Sequence, residues 1–439
     1  MVTYQGPTTA EWFQRAKRSL VNGVSSQFRY WGDTETVVID HAEGAYLYDM
    51  DGTRYIDYMN GFGPVILGHG HAVVAAAVAE AAAAGTTFAI TQRREIEAAE
   101  TFLRLVPWAD RLRFTNTGTE ATMHAIRLVR AYTGRDIVVK FEGQYHGQHD
   151  YVLFSTAGAP PHALGSRFDP VPWQSSSGIP EVIRSTIKVL PFNDLEAAER
   201  LFRTHGHRIA GLLVEPMLGN AYGILPEDGY LAGLRALCDE YGAQLVFDEV
   251  KTGFRIAPGG ANEAFGVEPD LGTFAKAMGN GFPVAAIAGK AHLMDAWAAG
   301  GIGQAGTYSG NAVAVAAAQA TMEQIEDGAL DAVERQGSAL MSGIRSILAE
   351  SGVEGHVTGV PGMFSIFFGP EPPVDFRAKA VHDADLYDEL AARMIAKGAF
   401  VCPDALEPWF INASLSDEDV AETLQKFDES LSEELAGRS

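Results

Sequence analysis

Between Arg111 and Ala288 the sequence alternates short apolar runs with amphipathic stretches, and this alternation constrains the fold more than any other feature. Strands are read over 111–116, 136–141, 187–192, 209–215, 244–248 and 284–288, from their runs of Val, Ile, Leu and Phe. Helices over 121–132, 195–204 and 230–241 separate several of them. Strand, helix and strand in repetition predict an α/β fold, with a mostly parallel sheet covered by helices.

The flanks of this block read differently. A helix over 9–20 leads into an irregular arm, and alternating apolar residues around Asp51-Gly52 predict a β-hairpin over 45–58. Helices follow over 72–84, so Ala-rich that it should pack closely, and over 94–105. After Lys276 come a helix over 291–299, a Gly-rich stretch over 300–306 and a helix over 311–325. Helices over 330–351 and 383–397 then alternate with short strands at 363–368 and 400–402, and a last helix opens on a cap at Ser416. The division expected is an N-terminal arm with part of a small domain (1–70), a large domain (71–326) and a C-terminal small α+β domain (327–439). A chain of 439 residues, 47% apolar and 20% charged, has the material for two packed units.

A formal charge of −23 argues against nucleic acid and anionic membrane surfaces as partners. Cys238 and Cys402 stand alone and suggest neither a disulfide framework nor a metal cluster, which suits a reducing cytoplasm. Residues 1–12 are polar and lack the apolar core of a signal peptide, and no stretch approaches a membrane span.

Four places could carry chemistry. Lys276 follows an apolar run and precedes a Gly-rich turn, which suits a Schiff base with a carbonyl and equally a surface lysine after a strand. Upstream, the run Val246-Phe247 delivers Asp248 at a strand end, and a lysine for an aldehyde with an acid for a pyridine nitrogen is the pair that pyridoxal phosphate requires. Thr117-Gly118-Thr119 joins a strand to a helix and reads as a phosphate site or as a capped helix start. In the arm, Arg29 among Phe28, Tyr30 and Trp31 is a carboxylate clamp or a stacked surface residue. His146 and His149 lack a nearby third ligand, so no metal site is assigned. Residues 151–185 are the least regular region, as expected of a lid, a substrate wall or a disordered loop.

In order along the chain, Gly63-Pro64-Val65-Ile66-Leu67-Gly68-His69, Asn116-Thr117-Gly118-Thr119-Glu120-Ala121, Tyr145-His146-Gly147, Val214-Glu215-Pro216, Asp248-Glu249-Val250, Thr252-Gly253-Phe254-Arg255 and Ala305-Gly306-Thr307-Tyr308-Ser309-Gly310-Asn311 resemble the class III aminotransferases of the fold-type I pyridoxal phosphate enzymes. Within them the sequence is most similar to the glutamate-1-semialdehyde 2,1-aminomutase branch, from about Val21 to about Val420. The resemblance implies that Lys276 forms the Schiff base with pyridoxal 5′-phosphate, that Asp248 pairs with its ring nitrogen, and that Gly118 and Thr119 hold its phosphate. It implies that Tyr145 and Val250 flank the ring and that Asn220 lies near the phenolic oxygen. It implies a homodimer in which Thr307 reaches the partner's phosphate. Ser26, Arg29, Phe62 and Glu407 fall where that branch binds substrate, although Phe62 stands where tryptophan is usual and Lys251 where methionine is usual.

Two reactions are expected from this set. The first is an aminotransferase moving an amino group from a carboxylate-bearing donor to a 2-oxo acid, with Phe28, Trp31, Phe62, Phe168 and Trp173 favouring an aromatic or β-amino acid. The alternative is the glutamate-1-semialdehyde 2,1-aminomutase that yields 5-aminolevulinate. For a second acceptor carboxylate the only candidate arginines near the C-terminal site residues are Arg377 and Arg393, which favours a monocarboxylate acceptor such as pyruvate.

Overall fold

A computed structural model describes residues 5–438; the first four residues of the polar N-terminal stretch lie outside it. Its centre is a seven-stranded sheet in the order Arg111–Thr115, Ala285–Gly289, Leu271–Phe274, Gln244–Glu249, Ile209–Val214, Ile137–Phe141, Ile187–Leu190. All neighbours pair in parallel except Ala285–Gly289, which is antiparallel to both of its partners. Only residues 275–284 connect it to the preceding strand, fewer than the dozen or so residues that a parallel crossover needs, so the chain must turn straight back. The α/β class and the mostly parallel, helix-covered sheet therefore hold.

The helices Gly118–Thr133, Leu195–His205 and Tyr230–Tyr241 form where amphipathic segments were expected. Ala312–Glu326 is buried on nearly every side and packs against Ala72–Ala84 and Arg93–Leu105. The Ala-rich helix Ala72–Ala84 packs closely on Ala312–Glu326, as expected, although it buries only Val74 and Ala81 and leaves much of its other surface open. The first helix ends at Ala16 rather than at residue 20, and the expected helix over 291–299 is a short turn, Ala291–Met294, followed by 3-10 geometry.

Of two smaller sheets, the first mixes the chain's beginning and end, and the second is built from the C-terminal part alone. Ile39–Glu43, Tyr46–Asp49 and Arg54–Asp57 are antiparallel, and Ala399–Phe400 joins their edge in parallel. Gly355–Val360, Met363–Phe368 and Trp409–Phe410 form the other. Tyr58 and Thr423 share a buried hydroxyl contact of 2.7 Å, and Asn60 Nδ2 donates to Phe410 O at 2.7 Å. Arg255, 2% exposed, donates to the carbonyls of Gly362 (2.9 Å), Ile411 (2.9 Å) and Gly63 (2.6 Å), tying the end of the Asp248 segment to both.

Residues 151–185 are ordered rather than loose. They hold a hairpin (Gly165–Ser166 with Asp169–Pro170) and are fastened by Arg167 to Asp194 and Asp375, by Arg377 to Gly165 O, and by Lys379 to Ala157 O. These partners lie far away in sequence, which is why local composition reads the segment as a loop.

Candidate active site

Several of the sheet's strands end at one cavity of about 160 Å³. The strand Gln244–Glu249 brings Asp248 there, 2% exposed. Its carboxylate is held from three sides: Oδ2 accepts from His146 Nδ1 at 2.7 Å, and Oδ1 accepts from Val250 N and Thr273 Oγ1, both at 3.1 Å. Burial lowers the proton affinity of His146, against the pull of Asp248, so the ring is neutral at pH 7 with its proton on Nδ1. His146 Nε2 is buried without a partner, which fixes the ring through Asp248 alone.

Lys276 follows the neighbouring strand, Leu271–Phe274, and its backbone is left-handed at φ 49°, a conformation few residues other than glycine adopt readily. Among the described residues no side-chain or backbone group hydrogen-bonds its ammonium. Burial pushes it down to about 7, with the charge of Lys251 adding to the effect and Glu407, Glu215 and Asp248 opposing it. A primary amine of this kind is a nucleophile at neutral pH.

The opposite end of the cavity is the N-terminus of Gly118–Thr133, where Thr117 caps the helix by accepting from Glu120 N at 3.1 Å. The capped helix start is present and uses Thr117, whereas Gly118 and Thr119 face the cavity. A Cβ on Gly118 would meet Val250 Cγ2 at 2.9 Å, so only glycine lets the helix start this close to the valine. Gly147 (φ 103°) closes against Thr119 in the same way, its Cβ falling 2.8 Å from Thr119 Cα. Free amides at the end of a helix this long carry a positive field suited to a phosphate.

Glu215 organises the side wall. Its carboxylate accepts from Tyr145 N (2.7 Å), Gly219 N (3.0 Å) and Asn220 Nδ2 (2.9 and 3.0 Å). Burial pushes it up to about 7, with Lys251 drawing it back. Lys251, 5% exposed, donates to Gly219 O (2.7 Å) and to Glu407 Oε2 (2.6 Å). Tyr145 faces the cavity with its hydroxyl accepting from Gln148 Nε2 at 2.9 Å.

The arm arrives beside this wall. The Phe28 ring meets Tyr145 edge-on at 5.7 Å and Phe62 at 6.3 Å. Arg29, Trp31 and Phe62 line an adjoining cavity of about 280 Å³. Phe62 is left-handed (φ 68°), and Arg29 is exposed and forms no ion pair among the described residues.

Lys276, Asp248, Gly118, Thr119, Tyr145, Asn220 and Val250, all expected from sequence, therefore line one cavity. Arg29 and Phe62 line its neighbour, and Glu407 joins through Lys251. Ser26 lies instead in a groove of the arm with Val21 and Tyr30, and Thr307 is exposed away from the cavity. Of the five aromatics, Phe168 lies outside this group, beneath the Arg200 guanidinium at 4.7 Å, and Trp173 pairs its backbone with Ser155. Arg377 is clasped by Glu142 (2.9 and 2.8 Å) and Arg393 by Glu434 and Glu433. Sequence reasoning gave no role to His146, Glu215 or Thr273. The motifs Tyr145-His146-Gly147 and Val214-Glu215-Pro216 contained the first two, but their partners are visible only in three dimensions.

A family model described as "Aminotransferase class-III" matches residues 29–429. The chain is 43% identical to a glutamate-1-semialdehyde 2,1-aminomutase of Methanothermobacter thermautotrophicus, over 96% of this chain and 98% of that one. It is 40% identical to the same-named protein of Nitratidesulfovibrio vulgaris, over 94% and 96%. Among solved structures it is similar to an omega-transaminase from Sphaerobacter thermophilus (TM-score 0.92, 31% identity, 98% of each chain) and to a transaminase with PLP bound (TM-score 0.89, 28% identity, 100% of each). A glutamate-1-semialdehyde-aminomutase from Pseudomonas aeruginosa PAO1 superposes with a TM-score of 0.87 at 26% identity, over 98% of this chain and 95% of that one.

Proposed function

Because this chain belongs to the class III aminotransferases, we propose that it moves an amino group on a small substrate bearing one carboxylate, as a glutamate-1-semialdehyde 2,1-aminomutase that forms 5-aminolevulinate. The observation that carries this reading is the identity of 40–43% with curated relatives of that name across nearly the whole chain. The comparisons favour it over intermolecular transfer to a 2-oxo acid, the reaction that the sequence alone places first.

The cofactor is pyridoxal 5′-phosphate. The residues present fit it: an enclosed amine with no hydrogen-bond partner among the described residues, a buried carboxylate, and a helix N-terminus trimmed by glycines. When bound it supplies an aldehyde that receives the amino group and a ring that draws off an electron pair. Lys276 would hold the aldehyde carbon, Asp248 the ring nitrogen, and Gly118 and Thr119 the phosphate. Tyr145 and Val250 would flank the ring and Asn220 would meet its phenolic oxygen. Lys276 Nζ would carry the proton between the substrate carbon and the cofactor carbon that receives the amino group. Arg29, the unpaired cation beside the cavity, would receive the substrate carboxylate, with Phe62 and Phe28 shaping its approach.

The test uses purified enzyme in its pyridoxamine form with glutamate 1-semialdehyde as sole substrate. Sustained 5-aminolevulinate formation over many turnovers is expected; a single turnover that stops until pyruvate or 2-oxoglutarate is added would sink the aminomutase reading. That second outcome is the transaminase reading, which the TM-score of 0.92 with an omega-transaminase favours, together with the trio Phe28, Trp31 and Phe62 at the substrate cavity.

The working unit in this reading is a homodimer. Val73, Phe88, Ile90, Ile96 and Tyr308 are exposed, and Thr307 adjoins the last of them. Covering these residues with a second chain would bury apolar surface and carry Thr307 towards the partner's phosphate. Sedimentation is expected to give twice the 47.1 kDa chain mass, and Thr307→Val to weaken cofactor retention about tenfold. A monomer that retains cofactor would end the idea.

A further inference from the structure

Lys251 is the cationic side chain in the cavity wall besides Lys276. Its stem is sheathed closely, since a Cβ on Gly219 would fall 2.8 Å from Lys251 Cδ. Its ammonium is spent on Gly219 O and on Glu407, and it lies 5.6 Å from the Phe410 ring centre. The other cations that sequence placed near this end are also committed, Arg377 to Glu142 and Arg393 to Glu433 and Glu434. Arg255 is 2% exposed and gives its terminal nitrogens to three backbone carbonyls. Among the described residues around the two cavities, Arg29 is thus the cation left for a substrate anion.

A second substrate carboxylate would have to displace Glu407 from Lys251, or lie against a Glu407 left uncompensated, and like charges at contact distance in a partly desolvated wall repel strongly. We propose that Lys251 and Glu407 form a specificity-determining charge lock: Glu407 masks the ammonium of the cavity wall, so that the site takes acids with one carboxylate and refuses those with two. This rests on the reading that Arg29 receives the first carboxylate. It deepens that reading by assigning the substrate class to a pair of residues at the wall of the Lys276 cavity.

The experiment is calorimetric titration of the holoenzyme with two non-reacting acids of equal carbon count, pentanoate and glutarate. Wild type is expected to bind pentanoate at least about tenfold more tightly than glutarate. Glu407→Gln, nearly isosteric, frees Lys251 and is expected to tighten glutarate relative to pentanoate by about tenfold. Lys251→Met added to it should remove most of that gain. An unchanged ratio in Glu407→Gln, or a gain that survives loss of Lys251, would overturn the lock. Should Glu407→Gln fail to fold, Glu407→Ala is read by the same ratio. Arg29→Gln separates the two claims: unchanged pentanoate affinity would end the Arg29 reading, whereas the ratio in Glu407→Gln judges the lock.

Discussion

Lys276→Ala is expected to lower turnover by about a thousandfold or more, because in the proposed reading one substitution removes both the amine that holds the cofactor and the base that moves the proton. The fold should survive, since Lys276 makes no hydrogen bond among the described residues and its ammonium is disfavoured by enclosure. Steady-state rates at saturating cofactor, with circular dichroism as the folding check, decide this; activity within tenfold of wild type would remove Lys276 from the mechanism. The same amine sets a pH dependence. Folding moves it from 10.5 to about 7, so cofactor capture by the apoprotein should rise with pH up to about 7 and then level. Between about pH 7 and 10.5 the unfolded chain binds more protons at this site than the folded one. The apoprotein therefore gains stability from Lys276 as pH rises through that interval, and bears its full cost below it.

Asp248→Asn is expected to cost about a hundredfold to a thousandfold in turnover, through loss of the charge that the proposed reading pairs with the ring nitrogen. It should also cost about 1–3 kcal/mol of stability. Three donors converge on this carboxylate, from His146, Val250 and Thr273. An amide offers one oxygen and turns an NH2 towards at least one of them. His146 could turn acceptor only by moving its proton to Nε2, which is buried without a partner. Thermal melting and steady-state kinetics on the same preparation test both halves, and a variant with wild-type kcat would refute the assigned role.

The parts of the site legible in sequence are those whose meaning is local. Asp248 ends an apolar strand, Lys276 follows another, and Gly118 begins a helix; each can be read from a few neighbours and ordered by resemblance. His146 could not be read so, because its partner is 102 residues away. The pairing of Lys251 with Glu407 spans 156 residues and joins a departure from the family pattern to a residue that matches it. Phe168 and Trp173 misled for the converse reason: aromatic composition says nothing about which face of a folded segment a ring occupies. The reversed strand Ala285–Gly289 was in principle readable, since residues 275–284 leave no room for a crossover.

The joining of the chain's two ends has a consequence for biosynthesis. Asn60 waits for Phe410, 350 residues downstream, and Tyr58 for Thr423, 365 downstream. At ordinary translation speed the N-terminal strands leave the ribosome roughly a minute or less ahead of the segments that complete them. During that interval the edge of Arg54–Asp57 that Ala399–Phe400 will occupy stands open, as an invitation to another nascent chain on the same messenger. The sheet around Asp248, whose last strand ends at Gly289, has by then emerged in full, so a ribosome that stalls late leaves the large sheet built and the edge of Arg54–Asp57 still uncovered.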